Sequence, residues 1–373
     1  MQLTKIVSCS DLHFAHPKVP IGKIIRSFRA QIFKELEDAQ LLFIAGDVFD
    51  KTIQIDSLDA QEALGLISDL LEFAKARNIK IRILRGTFTH DRKQTVLFDT
   101  LNKRINADLL CVDNLQLEYI EDFDLRILYI PDNLPQKESE EIVESAKQLM
   151  DSVKWTNVDF VVGHGYFEHV LPKGLTKEPA RTFRAHQFSF VKEFVLMGHV
   201  HTHSRHKNII YHGSFERLCH GEEEHKGFLV LTKEQESWKC SFVVNTDSTP
   251  FYTVHPKGNT VDELVESMHA QVKKKFGPFP FGHLRISVEN PEYRQVLIQN
   301  AIFSYDPNVV VTGITVKDEK KESTVIDEHQ FQTLEQVTPT EDNIAELVFL
   351  HIQKIKGESP LCIEEIRATI DTP

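Results

Sequence analysis

The chain has no apolar stretch near the roughly 20 residues that a membrane span needs, and its start lacks the basic-then-apolar order of a secretory signal. It reads as a cytoplasmic protein that does not enter a membrane. Cysteine is sparse: Cys9, Cys111, Cys219, Cys240 and Cys362 are scattered, and none forms a CxxC pair. That excludes a disulfide framework and a thiolate zinc ribbon, and points to a reducing compartment. Internal repeats and low-complexity tracts are absent. Positive charge is also short, with 43 Lys and Arg against 55 Asp and Glu, a net −12. The overall field therefore does not attract a polyanion, and such a substrate must be held by local cations, metals or a partner. What remains, 373 residues with 41% hydrophobic and 26% charged, is an ordinary globular composition with room for two domains or one large domain with appendages.

Strand and helix signals alternate up to about residue 165. Short β-prone or apolar runs at Thr4–Ser8, Leu41–Ala45, Ile79–Leu84 and Val158–Val162 are separated by helical patterns over Ile24–Glu37, Ser57–Arg77, Gln94–Asn106 and Glu138–Val153. Ser57 is placed to cap its helix, and Leu115–Ile120 with Leu125–Ile130 reads as a hairpin. After the apolar run Phe194–Val195–Leu196 the pattern changes to short strands, Ile209–Tyr211, Phe228–Thr232, Lys239–Asn245 and Phe251–His255, expected to form a meander closing a second sheet. From Thr260 a helix–strand–helix–strand module follows to Val316. A charged linker then leads to an expected amphipathic helix over Glu341–Lys356, with Ile344, Leu347, Val348, His351, Ile352 and Ile355 on one stripe, and a shorter one near Ile363–Thr369.

Chemistry gathers where the strands end. Asp11 and His13, Asp47, His90 and Asp91, His164, and His199 with His201 all follow buried runs, where open α/β sheets form their ligand sites. Any single pair is weak, since about one Asp in twenty has a His two places on at this histidine content; the shared position carries the argument. In an extended strand side chains alternate, so His199 and His201 are expected to point the same way and meet one site. Carboxylate and imidazole without thiolate suit a hard to borderline divalent cation such as Mn, Fe or Zn. Six ligand candidates exceed one structural site, and two cations roughly 3.5 to 4 Å apart are the usual arrangement for in-line displacement at phosphorus. Asp47 is the natural bridge. His90, oriented by Asp91, fits a group that protonates the leaving oxygen or stabilises charge. The remaining loop histidines read as solvated or locally hydrogen-bonded, with His203 and His212 the exceptions to watch.

The ordered set Asp11-x-His13, Gly46-Asp47-x-x-Asp50, Gly86 to His90-Asp91, Gly163-His164 and Gly198-His199-x-His201 resembles the calcineurin-like metallophosphoesterase superfamily. The stretch Tyr211-His212-Gly213-Ser214, Glu216-Arg217, Glu222 to Glu224 and Lys226-Gly227-Phe228 is similar to the segment after the last metal motif of SbcD-type nucleases, the nuclease half of SbcCD complexes that process DNA double-strand ends. The resemblance implies an α/β two-sheet sandwich flanked by helices over 1–255, a small α/β capping domain over 256–316, a linker over 317–337 and a C-terminal helical partner-binding arm over 338–373. It implies two divalent ions, best Mn2+, with Asp11, His13 and His201 on one, His164 and His199 on the other, and Asp47 between. His90 becomes the catalytic histidine with Asp91 beside it. DNA, a coiled-coil ATPase of SbcC type and a second copy of the subunit are the implied partners. Two other readings stand beside it: a phosphoesterase acting on a nucleotide or phosphoprotein, and a DNA-end-binding subunit with weak or lost catalysis. The departure lies in one loop, where the family has Gly-Asn-His and this chain has Gly86-Thr87-Phe88-Thr89-His90. Thr89, beside His90, is expected to stand in the place of the missing amide as a weak ligand.

Overall fold

The computed structural model describes residues 3–135, 138–171, 179, 181–235, 237–276, 281–305 and 308–316. The linker and helical arm expected beyond 316 lie outside the described residues.

Two mixed six-stranded sheets pack face to face, with helices on their outer sides. The first runs in the order Ser237–Val244, Gly227–Glu234, Lys5–Cys9, Leu41–Ala45, Lys80–Leu84, Leu109–Val112. The second runs Ser204–His206, Ile209–Tyr211, Val191–Gly198, Val158–His164, Leu125–Ile130, Gln116–Ile120. Leu41–Ala45 is buried at every position because both faces are covered, which is why it reads as an unbroken apolar run rather than an alternation. Phe43, Tyr129, Phe160, Leu196 and Leu229 fill the space between the sheets. Helices Ile21–Leu36, Leu58–Arg77 and Val96–Ile105 cover the outside of the first sheet, and Ser139–Ser152 covers the second. Ser57 accepts from the Ala60 N–H at 3.1 Å and so starts its helix as its position suggests.

The short strands after residue 200 do not form one meander. Gly227–Glu234 pairs antiparallel with Lys5–Cys9 and carries Ser237–Val244 at the edge of the first sheet. Ile209–Tyr211 pairs parallel with Val191–Gly198 in the second. Phe251–Val254 leaves both and opens a separate parallel sheet with Gly282–Val288 and Val309–Thr315, which packs on helices Val261–Phe276 and Arg294–Ser304 around Met268, Leu284, Ile286 and Leu297. Alternation locates a strand but does not name its neighbour, so the partners were open in the sequence. Leu109–Val112 is a further strand, one that carries no alternation signal in the sequence. Among the described residues no helix is long and apolar enough to cross a membrane.

Both large sheets send the carboxyl ends of their parallel strands to one end of the sandwich. Asp11 N–H donates to the Gly46 carbonyl at 3.0 Å, His13 N–H to Asp47 at 3.1 Å and Phe14 N–H to Val48 at 2.9 Å, which laces the first two strand-end loops together beyond the sheet.

Candidate metal centre

Four of the six candidate ligands lie on left-handed backbone: Asp11 at φ 51°, His13 at 48°, Asp47 at 50° and His199 at 87°. Non-glycine residues adopt this region uncommonly, Asp and His less rarely than most, and it costs about 1–3 kcal/mol each. Such clustering of strain at strand ends marks a built site. Close approach demands glycine beside it. A Cβ on Gly198 would sit 2.2 Å from the Ala45 carbonyl and 2.7 Å from His164 Nδ1, and one on Gly46 (φ 89°) would sit 2.4 Å from the same nitrogen.

The structure gathers the six residues into two groups. Asp11, His13 and His201 place donor atoms within 4.8 Å of one another, and so do Asp47, His164 and His199. Asp47 Oδ2 lies 3.3 Å from His164 Nε2 and 3.9 Å from His13 Nε2, so one carboxylate stands against both. The two histidines of the Gly198 segment do not share a site. Gly198 ends the strand and His199 turns at positive φ, so the period-two rule no longer applies and His199 joins His164 while His201 joins His13.

Each ring is held from behind. His13 Nδ1–H donates to Asp50 Oδ1 at 3.1 Å, and His201 Nδ1–H donates to Glu222 Oε1 at 2.9 Å. His164 Nδ1–H donates to the Ala45 carbonyl at 2.8 Å. With both Nδ1 atoms so engaged, the rings of His13 and His201 turn their Nε2 atoms towards each other, 3.1 Å apart, where one cation can be shared between them. Asp11 accepts the His199 backbone N–H at 3.1 Å and the Ser10 hydroxyl. Lys226, fully buried, donates to the His201 carbonyl at 2.8 Å and to Glu224 at 2.7 Å, and lies 3.2 Å from Glu222.

Neighbouring charges set the protonation states. Burial pushes the Asp47 carboxyl up, but the imidazoles of His164 and His13 outweigh it and hold the group well below the usual range. Burial likewise works against charge on His164, and the Asp47 carboxylate overrides it, lifting that imidazole to about 10. His199 is driven down to about 3 by burial and by the positive His164. Glu222 falls to about 2, where His201 and Lys226 overcome its desolvation. The ionised Asp47 and the neutral His199 are already in the forms that cations bind, whereas His164, charged beside Asp47, gives up a proton when a cation takes its place; the donors, oxygen and imidazole without thiolate, fit Mn, Fe or Zn.

The loop after Lys80–Leu84 departs from the expectation. Thr87, not Thr89, brings its hydroxyl to the second group, 3.2 Å from Asp47 Oδ2 and 3.4 Å from both His164 Nε2 and His199 Nδ1. The helical turn Phe88–Asp91 begins just after it, so the two additional residues, Phe88 and Thr89, fall between Thr87 and His90. His90 returns to the centre, its ring edge-on to His13 at 4.8 Å, and its Nδ1–H donates to the Asp50 carbonyl at 2.7 Å. Asp91 does not orient it. Its buried carboxylate instead accepts the backbone N–H groups of Asp47 and Phe49 at 3.0 Å and Gly86 at 2.8 Å, tying the two loops together. Burial and the neighbouring Asp47 raise it to about 6.

Glu222, Lys226 and Asp50 were visible as letters in the motifs, but nothing local assigns them to His201 and His13, since the contact with Glu222 is tertiary. His212 is fully buried, donating through Nδ1 to the Met197 carbonyl at 2.7 Å, with its Nε2 2.6 Å from the Ser8 hydroxyl, and so ties the two sheets behind the site.

No protein-family model and no curated protein matches the chain. Solved structures similar to it include one that is 11% identical, covering 64% of this chain and 98% of that one at a TM-score of 0.35. Another is a cold-active protein-tyrosine phosphatase of a psychrophile, Shewanella sp., 15% identical over 62% of this chain and 76% of that one at a TM-score of 0.31.

Proposed function

We propose that the chain is a calcineurin-like metallophosphoesterase that uses two divalent cations, Mn2+ best, and acts as an SbcD-type nuclease on double-stranded DNA ends. The observation that carries the reading is Asp47, a single ionised carboxylate between two groups of imidazole and carboxylate donors. Bound there, a pair of divalent cations supplies an activated water and neutralises the attacking and leaving oxygens of a phosphodiester. The chain's own part is to hold that pair. Asp50 and Glu222 fix the tautomers of His13 and His201, Ala45 fixes His164, and Asp91 anchors the loop that carries Thr87 and His90. His90 keeps Nδ1–H on a carbonyl, so its Nε2 is the atom free to exchange a proton with a leaving oxygen. The substrate and the partner ATPase rest on the motif resemblance, and the stretch 341–356, which lies outside the described residues, is the part of the chain proposed to dock the latter.

Asp47→Ala or His164→Ala should abolish Mn2+-dependent cleavage of a labelled duplex end while the circular dichroism spectrum persists. Cleavage retained by a purified variant refutes the two-cation reading. His90→Ala should cut about tenfold to a hundredfold more slowly with metal binding intact. Hydrolysis of small phosphodiesters without DNA cleavage favours a nucleotide or phosphoprotein substrate, and DNA binding without cleavage favours an end-binding subunit.

A further inference from the structure

Within the loop that departs from the metallophosphoesterase pattern lies a pair of side chains that the metal centre does not use. Phe88 is 54% exposed, on the helical turn between Thr87, whose hydroxyl faces the second ligand group, and His90. Arg85, at the end of the strand that leads into this loop, is only 7% exposed, and its Nε is buried without a hydrogen-bond partner. Its guanidinium carbon lies 5.8 Å from the centre of the Phe88 ring. The same strand offers a contrast. Arg82 is equally buried, at 5%, and is fully engaged with the carboxylates of Glu118 and Asp108 and with main-chain carbonyls. Among the described residues no carboxylate pairs with Arg85.

A buried guanidinium N–H without an acceptor is costly, and an anion reaching it removes that cost. The planar guanidinium fork matches phosphate oxygens, and an exposed aromatic ring beside it offers a face on which any base can stack. We propose that Arg85 and Phe88 form a nucleotide subsite beside the metal centre, Arg85 receiving a backbone phosphate of a nucleic-acid strand and Phe88 stacking the base next to it. The proposal rests on the phosphoesterase reading of the adjacent centre. It also answers the charge problem: with a net −12 the protein must hold a polyanion by such local devices.

The test is the binding of a short single-stranded oligonucleotide carrying 2-aminopurine, whose fluorescence falls on stacking, to the full chain in the presence of a chelator so that nothing is cut. Phe88→Leu should weaken binding about tenfold to a hundredfold and abolish the quenching, while Phe88→Tyr retains both. Arg85→Gln should lower the slope of log affinity against log salt by about 0.7, the share of one phosphate contact on a single strand, and Arg85→Lys should restore it. If Arg85→Gln does not fold, Arg85→Lys and the two Phe88 variants, at an exposed position, still decide. Equal binding by Phe88→Leu and Phe88→Tyr overturns the proposal, as does no binding by the unaltered chain. So does a Phe88→Leu loss that accompanies dissociation of a dimer in sedimentation, which would make a second copy the occupant. Quenching intact in a protein without Mn2+-dependent hydrolysis of any phosphodiester would instead refute the phosphoesterase reading.

Discussion

Asp50 holds two histidines by two different atoms, and the two can be separated. Its carboxylate takes His13 Nδ1–H at 3.1 Å, and its backbone carbonyl takes His90 Nδ1–H at 2.7 Å. Asp50→Ala removes the first contact and leaves the second. Loss of a carboxylate behind a ligating histidine typically costs about tenfold to a hundredfold in metal affinity, or about 1.4 to 2.7 kcal/mol. The Asp50 side chain is 17% exposed against 3% for His13, so solvent cannot fully replace the lost acceptor, and the larger half of that range applies. Asp50→Asn keeps an oxygen in place but gives up the charge; since a charge-assisted hydrogen bond is about twice as strong as a neutral one, it should lose about half as much free energy. Calorimetric titration with Mn2+ measures the affinity, and turnover at saturating Mn2+ reports on His90, which keeps its carbonyl. The order of affinities should be Asp, then Asn, then Ala, with excess metal recovering the rate. Unchanged metal affinity together with a rate that excess metal does not recover would refute the assignment, and would place the Asp50 carboxylate in the chemical step.

Thr87→Asn should restore an amide at the His164–His199 site and tighten the weaker of two unequal calorimetric steps by about tenfold, roughly 1.4 kcal/mol; no change, or two equal tight sites in the unaltered protein, would show that Thr87 is not the limiting ligand. Gly198→Ala drives a Cβ to 2.2 Å from the Ala45 carbonyl and should lower stability by about 1–3 kcal/mol or more and impair metal binding, read by thermal melting and calorimetry. In the metal-free protein His164 sits at about 10 against an ordinary 6.5, so its pairing with Asp47 stabilises fully below about 6.5 and is lost as pH rises through about 10. Melting temperature without metal should therefore fall between pH 7 and 10, His164→Gln should flatten that fall, and Mn2+ binding at pH 7 should release protons, measurable in buffers of different ionisation enthalpy. A chain ending at Lys317 should lose affinity for a coiled-coil ATPase partner in a pull-down; full affinity would move the docking face elsewhere.

The strand ends were legible because buried parallel strands write themselves as short apolar runs, and a carboxylate or imidazole directly after each is conspicuous. Leu41–Ala45 followed by Asp47 is the clearest case. Pairing was less legible: Gly227–Glu234 and Ile209–Tyr211 look alike in sequence but join different sheets, because the neighbour is chosen by tertiary packing. Period-two reasoning failed at His199 and His201, since it assumes a strand that Gly198 has already ended. Thr89 is the neighbour of His90 in sequence, yet the backbone runs on from Gly86 and delivers Thr87 to the site first. Glu222 lies twenty-one residues from the ring it holds, and no periodicity spans that gap.

Each ligand group draws on both sheets. Asp11 and His13 come from the first and His201 from the second; Asp47 comes from the first and His164 and His199 from the second. Cations bound here would cross-link the two halves of the sandwich at one end, so that occupancy becomes a term in the cohesion of the protein itself. At a free concentration one hundred times the dissociation constant, one such site adds about 2.7 kcal/mol to the native state. Chelation should then speed amide exchange first at the carboxyl ends of Leu41–Ala45 and Val158–His164, while Arg82 and Glu118, which join the two sheets away from the metal centre, keep theirs closed.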